Sequence, residues 1–252
     1  SAMYLIGRFF ANGARLFMAA LAVAMILFMR TDFPAIALAT TIIVIIGLAL
    51  SLGGGLRSVI ASDAVQLVVY AGTAVVVLIV LYMRLDLDFT QIVAALGSPP
   101  SGPSKLTVFD FSLALDDPFT IPAAFTGLML LNIGNFGLDQ DTTQRLLAAK
   151  SSRHAGWALF WSSIGALPII FVFLCIGQLL HIFYERGDLT GIVPPEDTLS
   201  SVTIFMRYIL TELPDGLRGL CGAAIVAAAV STLTSGLSSM SSVVVADFLK
   251  PW

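Results

Sequence analysis

Long apolar runs alternate with short polar breaks along the whole chain, and the runs lack the polar face of a soluble helix. Six of them have about the 20 residues that a helix needs to cross a hydrocarbon core of roughly 30 Å. They cover about 9–29, 33–52, 59–83, 118–147, 156–183 and 217–248. The break Arg30-Thr31-Asp32 is so short that the first two spans must run antiparallel. Gly53-Gly54-Gly55 precedes the third span and has no Lys-Ser/Thr pair after it, so it predicts a turn and not a phosphate loop. Two longer polar connectors follow, over 84–117 and 185–215. The first carries the loose Ser98-Pro99-Pro100-Ser101-Gly102-Pro103 stretch and a predicted short helix over 109–115. The second holds an amphipathic segment, 199–213, predicted to lie on the membrane surface. The expected fold is all-α: one polytopic transmembrane helical bundle over 1–252.

Composition names the solvent. Of the 252 residues, 58% are hydrophobic and 12% charged, whereas soluble domains run near a quarter charged. The mean hydropathy is +0.94, so the principal partner is a lipid bilayer. The net charge of −3, without a basic patch interleaved with aromatics, excludes nucleic acid as a partner. Cys175 and Cys221 lie in apolar segments and read as small buried hydrophobes. His154 and His181, the only histidines, stand at membrane edges with no nucleophile or metal-ligand cluster around them. An enzyme is therefore not expected, and no residue is assigned a catalytic role.

Six spans put both ends on one side, together with Arg8, Arg15, Arg57, Arg145, Lys150, Arg153 and Lys250. Six Lys and Arg remain for the other side, spread over longer loops that also hold twelve acids. Counted over the short loops, the positive-inside rule makes the ends and short loops cytoplasmic. The expected location is the bacterial inner (plasma) membrane, multi-pass.

The sixth span carries the densest polar chemistry. At 100° per residue, Ala228, Ser231, Thr232, Ser235, Gly236, Ser239 and Ser242 share one side, with Thr234, Ser238 and Ser241 beside it. A helix in lipid gains nothing from pointing hydroxyls at acyl chains, so this face looks into protein or a cavity. Two readings fit. Hydroxyl and carbonyl oxygens with little formal charge suit a hard monovalent cation; small residues with hydroxyls bonded back to the i−4 carbonyl equally suit close helix packing.

The fourth span is interrupted. Residues 121–131 would make roughly 16 Å of helix, half a bilayer. Asn132-Ile133-Gly134-Asn135-Phe136-Gly137 then places two asparagines and two glycines at mid-depth. Such residues compete for backbone hydrogen bonds. Opened backbone at that depth is tolerated only beside protein or a cavity, and discontinuous helices there hold the substrate of secondary transporters. The other reading is a kinked helix whose asparagines glue neighbours. Beyond it, Asp141 can pair with Arg145 at i+4. Asp63 lies about eight residues, roughly 12 Å, past the glycine turn in an otherwise apolar span. An intramembrane acid is a candidate functional group, and its depth could bring it to the hydroxyl strip; an ion pair with Arg57 is the alternative. No Lys or Arg falls deep in a predicted span, which favours a neutral polar solute over an anion.

Several of these stretches together resemble one family. They are Gly54-Gly55-Leu56-Arg57-Ser58-Val59 with Ser62-Asp63-Ala64-Val65-Gln66; Asp139-Gln140 with Gln144-Arg145-Leu146-Leu147-Ala148-Ala149-Lys150-Ser151; and Ala228-Ala229-Val230-Ser231-Thr232 with Asp247-Phe248-Leu249-Lys250. In this order they resemble the sodium/solute symporters, which include sugar, proline, pantothenate and sialic-acid carriers. The resemblance implies a LeuT-like, five-plus-five inverted-repeat fold, with the six spans as core helices three to eight. It implies Na+ as the coupling ion. A first sodium site would use the Ala228 carbonyl with the Ser231 and Thr232 hydroxyls, and a second Asp63, Ser231, Thr234 and Ser235. The implied substrate-binding positions are Asn132, Asn135 and Phe136. Asn135 stands where sugar carriers place a gating aromatic, and Ile164 where they place a sugar-binding lysine, so galactose-type recognition is not expected.

The implied activity is sodium-coupled symport of a small polar solute (sugar, amino acid or carboxylate) by alternating access. The alternative is a transporter-like sensor input of a membrane-bound signalling kinase, which the sequence after Trp252 would reveal. Core helices one and two would precede Ser1, and nine and ten would follow Trp252. The chain thus reads as an interior fragment whose partners include the missing helices of the same transporter.

Overall fold

The computed structural model describes residues 1–99, 104–107, 109–113, 120–137, 139–191 and 201–250, apart from the side chains of 53–58, 135–136 and 201–203. The helices are α1 (Ala2–Phe28), α2 (Phe33–Leu85), α3 (Phe89–Gly97), α4 (Met129–Gly137), α5 (Gln140–Leu147), α6 (Ser152–Glu185), α7 (Ser201–Thr211) and α8 (Asp215–Val244). No strand occurs among the described residues. Five helical stretches among them are long and apolar enough to cross a membrane: Ala2–Phe28, Phe33–Leu52, Val59–Leu85, Ser152–Glu185 and Asp215–Leu249. The chain divides into two compact units, Ser1–Val77 with Leu199–Trp252, and Leu78–Thr198.

In the first unit α1 and α8 run antiparallel. The Tyr4 hydroxyl donates to Ser239 Oγ at 3.1 Å, Asn12 meets Gly236, and Ile26 meets Gly222. Their packing depends on small residues at helical spacing. Ala20 and Ala24 on α1, Ala35 and Ala39 on α2, and Ala229 on α8 form a core with Val23, Ile43 and Val230. Small side chains let helix backbones approach closely, which is where packing energy comes from when both the surroundings and the helices are apolar.

Backbone of α2 is helical across the glycine run, yet it cannot be straight. Ile46 and Gln66 line the same cavity, whereas twenty residues of straight helix would set them roughly 30 Å apart. The run therefore bends sharply between them, and Gly53-Gly54-Gly55 supplies the freedom to do so. That bend lets both halves of α2 meet one short stretch of α8. Gly47 packs on Leu233 and Thr234, and Asp63 reaches Ser231.

The second unit contains the interrupted segment. A turn at Ile121–Ala123 is capped by the Thr120 hydroxyl and passes into a π-helical stretch, Ala124–Leu128. Regular helix then covers Met129–Gly137. The interruption expected at 132–137 is thus displaced in both directions: the backbone is irregular before Met129, and Asp139 opens a separate helix as its N-cap. The Asn132 side chain stays local, its Nδ2 donating to the Leu128 carbonyl at 2.8 Å. That bond satisfies the amide within the helix instead of opening the backbone.

Two expectations about the first connector change. Residues 109–113 are not helical; the Asp110 carboxylate accepts the Ser112 N–H at 2.8 Å, a local turn that competes with helix. Residues 114–119 lie outside the described residues. A helix does form earlier, at α3, where the Gln91 side chain accepts the Asp88 N–H at 2.9 Å. Asp-x-x-Gln before an apolar run is a helix-start pattern. Arg186, just past α6, then fixes α3: it donates to the carbonyls of Ala95 (3.4 Å) and Ser98 (3.1 Å) while its guanidinium pairs with Asp188 at 2.9 Å. The side-chain hydrogen bond from Arg186 holds the Asp188 carboxyl below the usual carboxylate range.

Candidate functional site

The site in the first unit is built on α8, whose polar face turns inward. Thr234 is 1% exposed, Ser235 7% and Ser239 0%. The hydroxyls bond mostly to their own helix: Thr232 to the Ala228 carbonyl at 3.0 Å, Thr234 to the Ser231 carbonyl at 3.1 Å, and Ser239 to the Gly236 carbonyl at 3.0 Å. The back-bonded hydroxyls expected for close helix packing are therefore seen directly. A hydroxyl has one proton and two lone pairs. Donating the proton backwards leaves the lone pairs free to face a cation.

Ser231 behaves differently. Its hydroxyl donates to Asp63 Oδ1 at 2.7 Å, across 168 positions of sequence. This joins the third predicted span to the sixth at the middle of the hydroxyl face. Side chains of Arg57, the alternative partner for Asp63, lie outside the described residues. Asp63 is half-buried and in line with the Ser231–Ser235 segment. Asp63 thus adds a carboxylate to a five-residue stretch of α8, 231–235, that carries two serine and two threonine hydroxyls. Hard oxygen donors with a single negative charge are of the kind that suits Na+.

Two cavities flank α8. The first, about 380 Å³, is lined by Val23, Ile46, Ala227, Val230 and, as its polar member, Gln66. The second, about 250 Å³, is lined by Asn12, Arg15, Leu16, Ala228 and Thr232. Ala228 and Thr232 thus border the second cavity.

Arg15 is exposed on α1. Helix α1 begins at Ala2 rather than near position 9, so Arg15 is its fourteenth residue. It is therefore roughly 20 Å from either end. It forms no ion pair among the described residues. Asn12 and Arg15 were legible in the sequence only as an i, i+3 pair on one helix face; nothing there placed that face opposite Thr232.

In the second unit Asn132 is exposed and bonded to Leu128. The side chains of Asn135 and Phe136 lie outside the described residues. Asp141 pairs with Arg145 at 3.2 Å, the i+4 contact expected from the sequence.

Comparison with known proteins now bears on this geometry. The family model of the sodium:solute symporter family matches residues 2–251. The sodium-coupled monocarboxylate transporter 2 of Danio rerio is 28% identical over 198 residues, covering 78% of this chain and 30% of that protein. The sodium/sialic acid symporter SiaT of Proteus mirabilis (strain HI4320) is 28% identical over 191 residues, covering 75% of this chain and 36% of that protein. The human sodium/iodide cotransporter is 25% identical over 206 residues, covering 79% and 30%. The chain thus spans about a third of the length of these curated relatives. A solved structure, the substrate-bound outward-open state of a Na+-coupled sialic acid symporter, superposes with a TM-score of 0.79 at 26% identity, covering 96% of this chain and 49% of that one. The all-α architecture is accordingly LeuT-like. With the family model matched from residue 2 to residue 251, the chain belongs to the sodium:solute symporter family.

Proposed function

We propose that this protein carries out sodium-coupled symport of a small carboxylate solute by alternating access, with Na+ held on the α8 face. The observation that carries the proposal is the Asp63–Ser231 hydrogen bond, which sets a carboxylate against a row of neutral oxygens. The ligand sets are those drawn from the sequence: Ala228, Ser231 and Thr232 for one ion, Asp63, Ser231, Thr234 and Ser235 for a second. Sodium would tie α8 to the rest of the transporter and favour the outward-open, substrate-ready state. Each inward Na+ contributes about 2.3 kcal/mol per 100 mV and an entering monoanion costs the same, so two ions with one carboxylate sustain roughly a fiftyfold accumulation at 100 mV, besides the sodium gradient itself.

The solute class rests on Arg15. An arginine at mid-helix in a membrane faces a cavity or a partner, because the alternative is hydrocarbon. Its planar guanidinium binds carboxylates with two parallel hydrogen bonds. Among the relatives, those named for monocarboxylate and sialic acid fit a carboxylate solute, while the one named for glucose fits the neutral solute favoured by the sequence. Substrate roles for Asn132, Asn135 and Phe136 remain part of the proposal, as do cytoplasmic chain ends. The relatives are transporters, which favours a carrier over the sensor alternative.

The test is uptake by the full-length protein in proteoliposomes, with a panel of carboxylates, sugars and amino acids, under an inward sodium gradient. Carboxylate uptake that collapses when sodium is replaced by choline is the expected result. Sodium-independent uptake, or uptake of neutral sugars alone, would sink the ion or the solute assignment respectively.

A further inference from the structure

A polar side chain of α1, Asn12, lies against the α8 backbone at Gly236. A Cβ built on Gly236 would stand 2.1 Å from Asn12 Nδ2, 2.8 Å from its Cγ and 3.0 Å from its Oδ1. The amide therefore lies directly on the helix backbone, and only glycine leaves room for it. Asn12 is 9% exposed, and its Oδ1 is buried with no hydrogen-bond partner. Its Nδ2 reaches no further than Met240 Sδ, at 3.9 Å. Burying an amide oxygen without a partner is unfavourable, so tight packing alone is better served by alanine.

The place of this contact suggests what the amide does. Gly236 follows Ser235 and lies one turn beyond Thr232 on the same helix face. Asn12 borders the cavity that Ala228 and Thr232 also border. One turn past the notch, Tyr4 donates to Ser239. The amide is thus a rigid plate seated in a notch at the end of the oxygen face.

We propose that Asn12 is a positioning residue for the sodium-binding helix: seated on Gly236, it sets the height and rotation of the Ser231–Ser235 segment against α1. This deepens the sodium-symport reading and rests on it. A methyl group at 236 cannot coexist with the amide where it stands, so either the Asn12 side chain leaves the notch or α8 shifts, and in both cases the contact that fixes Ser231 and Thr232 against α1 is lost. Removing the amide as well takes away the obstruction.

The test uses the full-length transporter in proteoliposomes and reads sodium half-saturation and maximal rate separately. Gly236→Ala is expected to raise the sodium half-saturation at least about fivefold, within the usual range of coupling between sites. Combining it with Asn12→Ala should restore most of the loss. An unchanged sodium curve in Gly236→Ala, or a double variant no better than Gly236→Ala, overturns the proposal. Should Gly236→Ala fail to reach the membrane, Asn12→Ala alone adds no volume and must still shift the sodium curve; a wild-type curve there overturns it too. A second readout needs no sodium. With Tyr4→Cys and Ser239→Cys introduced, a short bifunctional thiol cross-linker should join α1 to α8 less efficiently in Gly236→Ala, and recover in the double variant. Equal yields in all backgrounds refute the positioning role. Loss of sodium dependence in the unmodified protein would instead overturn the transport reading while this measurement still stands.

Discussion

Ser231 donates its hydroxyl proton to Asp63 Oδ1 at 2.7 Å, and that bond is where the two polar stretches of an apolar chain meet. In a region of low dielectric a charge-assisted hydrogen bond is stronger than a neutral one. A cation arriving at the same oxygens would compete for the carboxylate and turn the Ser231 lone pairs towards itself. The hydrogen bond thus keeps the donor set assembled without the ion.

Replacing the carboxylate separates its charge from its shape. Asp63→Asn retains an oxygen able to accept from Ser231 but removes the negative charge. If two ions bind, the Hill coefficient for sodium in uptake should fall from near two to near one. Flux ratios of sodium to solute, measured in proteoliposomes, check this; an unchanged ratio would exclude Asp63 from ion binding.

Thr232 presents its lone pairs because its proton is spent on the Ala228 carbonyl. Thr232→Ser keeps that arrangement and should retain sodium dependence. Thr232→Val matches the shape without the oxygen and should raise sodium half-saturation about tenfold, equivalent to about 1.4 kcal/mol. Sodium titration of uptake distinguishes the two variants, and equal curves would remove the hydroxyl from the site.

Arg15 predicts solute selectivity. Arg15→Gln should abolish carboxylate uptake at ordinary substrate concentrations, with sodium binding by the empty carrier retained. Arg15→Lys should recover only part of the affinity, because a point charge replaces a bidentate fork. Competition by free carboxylates against a labelled substrate gives the measurement; wild-type affinity in Arg15→Gln would return the solute to the neutral class.

Gly222 tests the packing of the first unit. A Cβ there would meet Ile26 Cγ2 at 3.1 Å. Gly222→Val should overpack the α1–α8 contact and cost about 1–3 kcal/mol. Ile26→Ala, made together with it, should recover part of the loss. Thermal unfolding of the purified protein in detergent reports both.

The Arg186–Asp188 pair lies outside the spans and gives a pH dependence of definite sign. Hydrogen bonding from Arg186 lowers the Asp188 pKa in the folded protein below the ordinary carboxylate range. A depressed carboxylate contributes stability that is present above the unfolded pKa and lost as pH falls through the folded one. Anchoring of α3 by Arg186 should therefore be insensitive to pH above about 5 and weaken only in strong acid. Proteolysis at Lys105 against pH reads this, and Asp188→Asn should remove the acid dependence.

How much of this was legible beforehand follows from which forces act locally. Hydrophobic length alone marks the five helical stretches long and apolar enough to cross a bilayer, while the expected fourth span is not among them. Helical periodicity alone gathers Ala228, Ser231, Thr232 and Ser235 on one face, because 100° per residue is a property of the backbone. The i+4 pair Asp141–Arg145 follows from the same periodicity and is found. Asn132 misled because an asparagine in a span can either open the backbone or bond its own helix, and its i−4 carbonyl was available.

Sequence by itself therefore determined the solvent, the helical architecture and the oxygen-bearing face. Only the tertiary structure decided that Asp63 meets Ser231, that Asn12 occupies the notch at Gly236, and that Arg15 lies at mid-helix beside the cavity of Ala228 and Thr232. These contacts join helices distant in sequence, and helix–helix register is set by how small residues interlock across the contact. No periodicity within one helix records the rotation of another.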